Sequence, residues 1–521
     1  MSRTARIVLL AALSVGVFLV GVELMVTAVA LPRILADLAD WTQLRRASWI
    51  INAYLVAYVA VMPLAGRAAD RFNLPELFGV SLSLFGLGSL LAGAAPSLDL
   101  LIAARVVQGL GAGAIVPLAT AGASFLFEGN ARARALAIVG ALTFLGMAAG
   151  PFVGAAILQA FGLWRWVFYL GAPFALLAAI YTWAAAPGWR AERRPSSLDV
   201  VGAALFTIAV GAGLLALTTI GSDPTDSLAI PALLGATSLA GIVLSIARFR
   251  RAREPFIDLR LFGDRSFSGA VLLSLMTGYA LATAIIGGAV FVDRVRYAGP
   301  AEQQVALGGL AMAVAVGALG SGFVLRISGV VALSLAGLAA GIGGLVLLST
   351  LQPESSLALL AVGLSVFGFG FGLTVTARSV AAVESAGRRA FGLASAAVTV
   401  ARMIGMGVGL AVLTVLGSNR IEALSVVLVD QAARDAALPA ALQGRPLADY
   451  LVVGALEKWA AGQAAGILGT LFLVAAGVTA LAIIPTLAMR NRPRVGSRSA
   501  VGDEHEELNA TEETSRAGIA I

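Results

Sequence analysis

The chain reads as apolar runs of roughly twenty residues, separated by short charged or turn-forming stretches. Runs long enough to cross hydrocarbon as helices fall at 7–31, 48–67, 77–95, 99–124, 135–160, 165–186, 199–220, 229–248, 266–292, 304–325, 329–350, 357–378, 391–416 and 463–488. The runs do not alternate with period two, as the strands of a lipid-spanning β-barrel must. The pattern therefore predicts an all-α transmembrane protein with about 14 spans. The longest connection is 417–462, and within it 421–438 and 447–459 keep a helical pattern, so helices extending past the membrane are expected there. After Arg490 the chain turns polar, with an acidic patch at 503–507, which predicts a disordered tail over 490–521.

Composition narrows the function. Of the 521 residues, 59% are hydrophobic and 12% are charged, too few charges to cover a soluble protein of this size. The 60 glycines fit helices whose backbones approach closely in lipid. There is no cysteine, so there are no disulfides. The single histidine, His505, lies in the tail, which removes a histidine metal site or proton relay. The single lysine, Lys458, follows Glu457, so no Gly-Lys pair exists to build a phosphate-binding loop. No cofactor is expected, and an ion gradient is the remaining energy source.

The net charge of +7 comes from arginines scattered between the spans, a topology signal and not a nucleic-acid surface. Most of them fall on the side where the chain starts, including Arg132, Arg134, Arg190, Arg193, Arg194, Arg248, Arg388 and Arg389. The positive-inside rule then places both termini in the cytoplasm of a cell-membrane protein, inner or plasma. Ala28-Val29-Ala30 behind Arg3 and Arg6 imitates a signal-peptidase site, but the run is long and carries Glu23. It is read as a retained first span.

A weak internal repeat divides the chain. Shifting by 255 residues lays Arg134-Ala135-Leu136-Ala137 on Arg389-Ala390-Phe391-Gly392, and Gly150, Gly154 and Gly162 on Gly405, Gly409 and Gly417. Two six-helix bundles with an inserted pair of helices are the natural reading. The expected units are 1–190, a linker with two extra spans at 191–262, a second bundle at 263–489 and the tail.

Four segments carry more specific information. Span one ends Glu23-Leu24-Met25-Val26-Thr27-Ala28-Val29-Ala30-Leu31-Pro32, and the loop expected after span two reads Gly66-Arg67-Ala68-Ala69-Asp70-Arg71-Phe72. Span four contains Arg105-Val106-Val107-Gln108-Gly109-Leu110-Gly111-Ala112-Gly113, and span five contains Gly146-Met147-Ala148-Ala149-Gly150-Pro151-Phe152-Val153-Gly154. In this order and spacing they resemble the major facilitator superfamily, in its fourteen-span drug:proton antiporter branch. The resemblance implies two six-helix bundles related by a pseudo-two-fold and export by alternating access. It implies an inner-gate latch at Gly66, Asp70 and Arg71, although Asn73-Leu74-Pro75-Glu76 departs from the glycine and basic residues usual there. It further implies a span-four motif of Arg105, Gln108 and Gly109, and an antiporter motif of Gly146, Gly150, Pro151 and Gly154. Trp49-Ile50, Tyr54-Leu55, Tyr58 and Met62-Pro63-Leu64 also look like mycobacterial lipid-exporting members, which work with an outer lipid-binding lipoprotein.

Read as residues, Arg105 lies inside a span six positions after Asp99, at a cost of about 2.5–3.5 kcal/mol if unanswered. Glu23 lies at a comparable depth in span one, so a Glu23–Arg105 pair is the expected proton-coupling element. A vestibule carboxylate without coupling is the bland alternative, as ordinary helix packing is for the span-five glycines. Asn52 and Arg402 are candidate polar groups of a cavity, with helix packing an equal alternative for Arg402. Gly109, Gly111 and Ala114 imitate a dinucleotide fingerprint but lie in a span with no preceding strand. Trp164-Arg165-Trp166 is read as an interfacial anchor. The spans hold too few hydrogen-bonding groups for a sugar or amino-acid carrier, so lipophilic small molecules or membrane lipids are the expected substrates of a monomeric carrier. A receptor that transports nothing would share this composition; no enzymatic motif is found.

Overall fold

The computed structural model of the chain describes residues 3–38, 44–127, 129–185, 199–220, 228–255, 257–386, 391–447 and 449–489. The expected tail and most of the arginines around 190 and 388 lie outside the described residues, as do the side chains of Arg67, Asp70, Arg71, Arg132 and Arg134. Among the described residues, fourteen helices are long and apolar enough to cross a membrane. They are α1 (Arg3–Leu38), α2 (Trp49–Arg71), α3 (Leu74–Ala94), α4 (Leu98–Leu126), α5 (Gly129–Phe161), α6 (Gly171–Ala185), α7 (Val200–Thr219) and α8 (Ala229–Arg251). There follow α9 (Arg265–Val290), α10 (Pro300–Leu325), α11 (Ile327–Ser349), α12 (Leu357–Ala386), α13 (Phe391–Val429) and α14 (Tyr450–Leu481). The protein is multi-pass and all-helical. We call the side where α1 begins the near face and the other the far face.

The helices outrun the apolar stretches that announced them. Helix α1 continues to Leu38, past Pro32, and α12 continues from the predicted end at 378 to Ala386. Polar residues end a hydrophobic run without ending a helix, because the backbone ladder continues wherever the propensity allows. Gly66–Arg71, expected as a loop, is likewise the last turns of α2. The stop comes at Phe72 and Asn73, just before Pro75 in the first turn of α3. Gly329, with φ +78°, interrupts the helical backbone in the first turn of α11, beside its junction with α10, a conformation open to glycine without strain.

Helices α1–α6 form one bundle and α9–α14 a second. Within the first, α5 packs on α1 through glycine. A side-chain carbon at Gly146 would strike the Phe18 carbonyl, at Gly150 the Met25 side chain, and at Gly154 Val26. The second bundle repeats the device: Gly405 and Gly409 of α13 bring its backbone against Leu275 and Tyr279 of α9. These are the glycines that the 255-residue shift aligns, and they serve the corresponding helix pair. Between bundles, α5 packs along α10 and α2 along α13.

The inserted helices have unequal positions. Helix α7 lies against both α2 and α13, covering that seam. Helix α8 is fastened to α7 by the Ser238 hydroxyl, which donates to the Ala209 carbonyl at 2.8 Å, and by Gly241 against Ala209. Only 11% of the apolar window of α8 is buried, against 78% for α9, so α8 presents its remaining surface to lipid.

At the far face α13 runs on to Val429 and α14 begins at Tyr450, with a short helix Gln431–Ala437 between them. Val427, Leu438, Val452 and Leu456 give this projection a small core of its own. Asp449 caps α14 by accepting from the Leu451 N–H at 2.9 Å, and also accepts from Arg445 at 3.1 Å. The backbone donor first, and the guanidinium second, hold its carboxyl below the usual carboxylate range. The cap is thus in place above the ordinary aspartate value and is lost as pH falls through the lowered one.

Two outcomes follow. Gly146→Val forces α5 away from α1 and should cost about 1–3 kcal/mol, read as a lower thermal unfolding midpoint of the detergent-purified protein. An unchanged midpoint would show that the contact is not tight. Asp449→Ala should speed hydrogen exchange at the Leu451 amide without moving the global midpoint.

Candidate functional site

Helix α4 starts at the far face, where the Ser97 hydroxyl caps it by accepting from the Leu100 N–H at 3.4 Å. Arg105 is seven residues beyond Leu98, so its Cα lies about 10 Å along the helix from that end. Its side chain is 2% exposed, and Glu23, brought alongside by α1, is 5% exposed. The Arg105 Nη1 donates to Glu23 Oε1, forming an ion pair, and to Gln108 Oε1 on its own helix. Its Nε donates to the Ile50 carbonyl of α2 at 3.0 Å. The guanidinium carbon lies 4.3 Å from the centre of the Tyr54 ring and 5.6 Å from that of Phe168.

Neighbouring hydroxyls complete the network. Thr27 Oγ1, one turn along α1, donates to Glu23 Oε1 at 2.9 Å, and Gln108 Nε2 donates to Ser89 Oγ of α3 at 2.7 Å. Arg105 therefore ties α1, α2 and, through Gln108, α3 to α4. The glycines of the same motif make this possible. Gly109 and Gly113 let α4 meet the backbone of α2 at Tyr54 and Tyr58, while Gly111 lets it meet α3 at Phe85. Gly109 is thus a contact residue, and Gln108 a buried bridge.

A cavity of about 30 Å³ adjoins the pair, lined by Thr27, Tyr54 and Arg105 on one side and by Ile285, Met406 and Leu410 of the second bundle on the other. That is room for a water molecule or two. The Tyr54 hydroxyl is buried with no hydrogen-bond partner among the described residues, and so are both amide atoms of Asn52. Asn52 is not part of this cavity. Its Oδ1 faces Gly407 of α13, where Leu214 of α7 also packs.

The other expected residues lie elsewhere. Gly146, Gly150 and Gly154 form the α1–α5 contact, and Pro151 is buried within α5 beside them. These side chains do not touch the ion pair; they hold the helix that carries Glu23. Gly66 is partly exposed with open space around it, and the Asp70 and Arg71 side chains lie outside the described residues. Arg402 is partly exposed on α13, with its backbone against Gly278 of α9. Trp164 is not the membrane-surface anchor expected. It is 3% exposed and donates through Nε1 to Asp37 at 2.9 Å, while Arg165 pairs with the same carboxylate at 2.6 Å. Both Trp164 and Arg165 clip the end of α1 to the turn after α5; Trp166, stacked on Phe161, is the exposed ring.

Sequence reasoning missed Thr27, Ser89 and the Ile50 carbonyl, which carry no distinguishing signal, and it missed Arg378. That residue ends the predicted span 357–378, and it is 1% exposed within α12.

The comparisons with known proteins agree with this architecture. The family model of the Major Facilitator Superfamily matches residues 13–410. A triacylglyceride transporter of Mycolicibacterium hassiacum is 33% identical over 434 residues, which are 81% of this chain and 81% of its own. One of Mycolicibacterium smegmatis is 32% identical over 458 residues, 85% of this chain and 81% of its own. The multidrug transporter MdtP of Bacillus subtilis is 27% identical over 79% of this chain and 75% of its own. Among solved structures, a bacterial homologue of the human lysosomal transporter Spinster, inward-facing and occupied, is similar in fold. It gives a TM-score of 0.64 at 18% identity, covering 95% of this chain and all of that one. The family match over residues 13–410 and the transporter-named relatives make this a membrane transporter. The chain belongs to the major facilitator superfamily.

A double-mutant cycle tests the site. Glu23→Gln leaves the Arg105 guanidinium buried without a counter-charge and should cost about 3–5 kcal/mol of stability. Arg105→Gln should be comparably damaging. The double variant removes both charges and should cost clearly less than the sum, read from unfolding midpoints. Additive losses would mean the two groups do not interact.

Proposed function

We propose that the protein is a proton-coupled exporter of lipophilic and amphipathic compounds, working by alternating access. The observation that carries this is the Glu23–Arg105 pair, buried in the first bundle beside a cavity shared with the second. A proton on Glu23 removes the counter-charge of Arg105, and the guanidinium is then stable only where it gains water or another partner. Protonation thus favours a rearrangement of α1 against α4 at the bundle boundary. One proton crossing with 100 mV and one pH unit releases about 3.7 kcal/mol, enough for a substrate gradient of several hundred-fold.

The remaining assignments follow the same reading. Gly66, Asp70 and Arg71 act as a near-face latch, and the α1–α5 glycine contact serves as the packing surface on which α1 shifts. The near face is cytoplasmic, with both termini there, in the cell membrane. In support, Arg248, Arg250 and Arg251 cluster in the last turn of α8, at the near face. The apolar spans favour greasy substrates, in keeping with relatives named multidrug and triacylglyceride transporters.

A second reading is export of a membrane lipid, handed to an outer lipid-binding partner. Two observations favour it: relatives at 32–33% identity are named for triacylglyceride, and the α13–α14 projection stands beyond the far face with its own core.

The test is reconstitution into proteoliposomes, with flux of a lipophilic dye and of labelled triacylglyceride followed with and without a pH gradient. Gradient-driven dye flux that Glu23→Gln abolishes is expected. Uphill flux undiminished in that variant would remove Glu23 as the coupling acid, and triacylglyceride flux alone would select the second reading.

A further inference from the structure

Away from its helix ends, the second bundle holds two arginines, Arg378 and Arg402, that form no ion pair with a carboxylate among the described residues. Arg378 of α12 is among the largest fully buried side chains. Its Nη1 donates to Thr277 Oγ1 of α9, and its guanidinium lies 4.9 Å from the Phe371 ring centre. Among the described residues this single hydrogen bond uses one of its five donors. Arg402 of α13 is partly exposed and has no hydrogen-bond or ion-pair partner among the described residues. Its backbone packs against Gly278 of α9, the residue after the Thr277 that Arg378 reaches.

The contrast with the first bundle shows what is missing. There the first and fourth helices, α1 and α4, are tied by Glu23 and Arg105. With α7 and α8 set aside as the insertion, α9 and α12 are the first and fourth helices of the second bundle. They are tied by Thr277 and Arg378, so a neutral hydroxyl makes the tie that a carboxylate makes in the first bundle. Both arginines thus meet α9 at adjacent residues, and neither has, among the described residues, the carboxylate counter-charge that a buried ion requires. An anion between them would answer both. Planar guanidinium forks match the paired oxygens of phosphate and carboxylate. The surrounding α2, α9, α12 and α13 surfaces are apolar, suited to a hydrocarbon tail attached to that anion.

We propose that Arg378 and Arg402 receive the phosphate or carboxylate headgroup of an anionic amphiphile, which makes such molecules the preferred substrate class. The inference rests on the exporter reading for passage of the bound molecule, but binding itself needs no gradient. The full-length protein in nanodiscs of phosphatidylcholine would be titrated with dodecyl phosphate, dodecanol, dodecyltrimethylammonium and inorganic phosphate, followed by tryptophan fluorescence. Dodecyl phosphate should bind about tenfold or more tightly than dodecanol or the cationic amphiphile, in keeping with charge-assisted hydrogen bonds. Arg402→Gln and Arg378→Gln should bring that preference close to parity, and Arg402→Lys should keep part of it. Should Arg378→Gln fail to fold, the partly exposed Arg402 carries the comparison alone. No preference in the native protein, a preference untouched by Arg402→Gln, or inorganic phosphate binding as tightly as dodecyl phosphate would each overturn the proposal. Headgroup preference without gradient-driven flux would count against the exporter reading and leave the site standing; flux without preference would count against the site alone.

Discussion

A guanidinium enclosed by hydrocarbon side chains must have its charge and donors met from within the protein, because no water shell is there to meet them. Arg105 satisfies that demand by reaching three neighbours of its own helix, directly to α1 and α2 and through Gln108 to α3. The positions of these four helices are consequently not independent. Glu23 can serve only if α1 approaches α4 closely, and the Ile50 carbonyl only if α2 does. The glycines of α4 and α5 supply that closeness by removing the side chains that would keep the backbones apart. Charge and packing form one requirement here: tight helices exclude solvent, and exclusion of solvent makes the ion pair consequential.

The two bundles share a plan and differ in their chemistry. Gly150 and Gly154 against α1, and Gly405 and Gly409 against α9, show the duplicated scaffold preserved in its close contacts. The polar groups set into that scaffold diverge. The first bundle is internally neutral at its core, with Glu23 answering Arg105, while the second carries positive charge through Arg378 and Arg402. A transporter built from two such halves can place ion coupling in one and substrate recognition in the other, with α2 and α13 as their shared wall. Helix α7 lies over that wall, and its Leu214 packs beside Gly407 and Asn52, so the inserted pair covers one seam of the central region.

Hydropathy revealed the spans because hydrocarbon imposes a minimum apolar length on each, and that rule acts on every segment separately. It also revealed Glu23 and Arg105, since a charge within an apolar run stands out without any knowledge of its neighbours. The glycine spacings of spans four and five were visible for the same reason. Helix ends were less legible: Gly66–Arg71 and the last turns of α12 continue helically beyond the apolar pattern, and that continuation draws Arg378 inside.

By itself, then, the sequence determined the all-helical membrane fold, the duplicated halves and the presence of a buried acid and a buried base. Tertiary structure alone decided who answers whom: that Arg105 also holds Ile50 and, through Gln108, Ser89, that Trp164 is a clip on Asp37, and that Arg378 meets a hydroxyl instead of a carboxylate. The reason is physical. The cost of a charge in lipid is a property of one residue in its segment, whereas its compensation comes from common side chains and backbone carbonyls that only packing brings within reach.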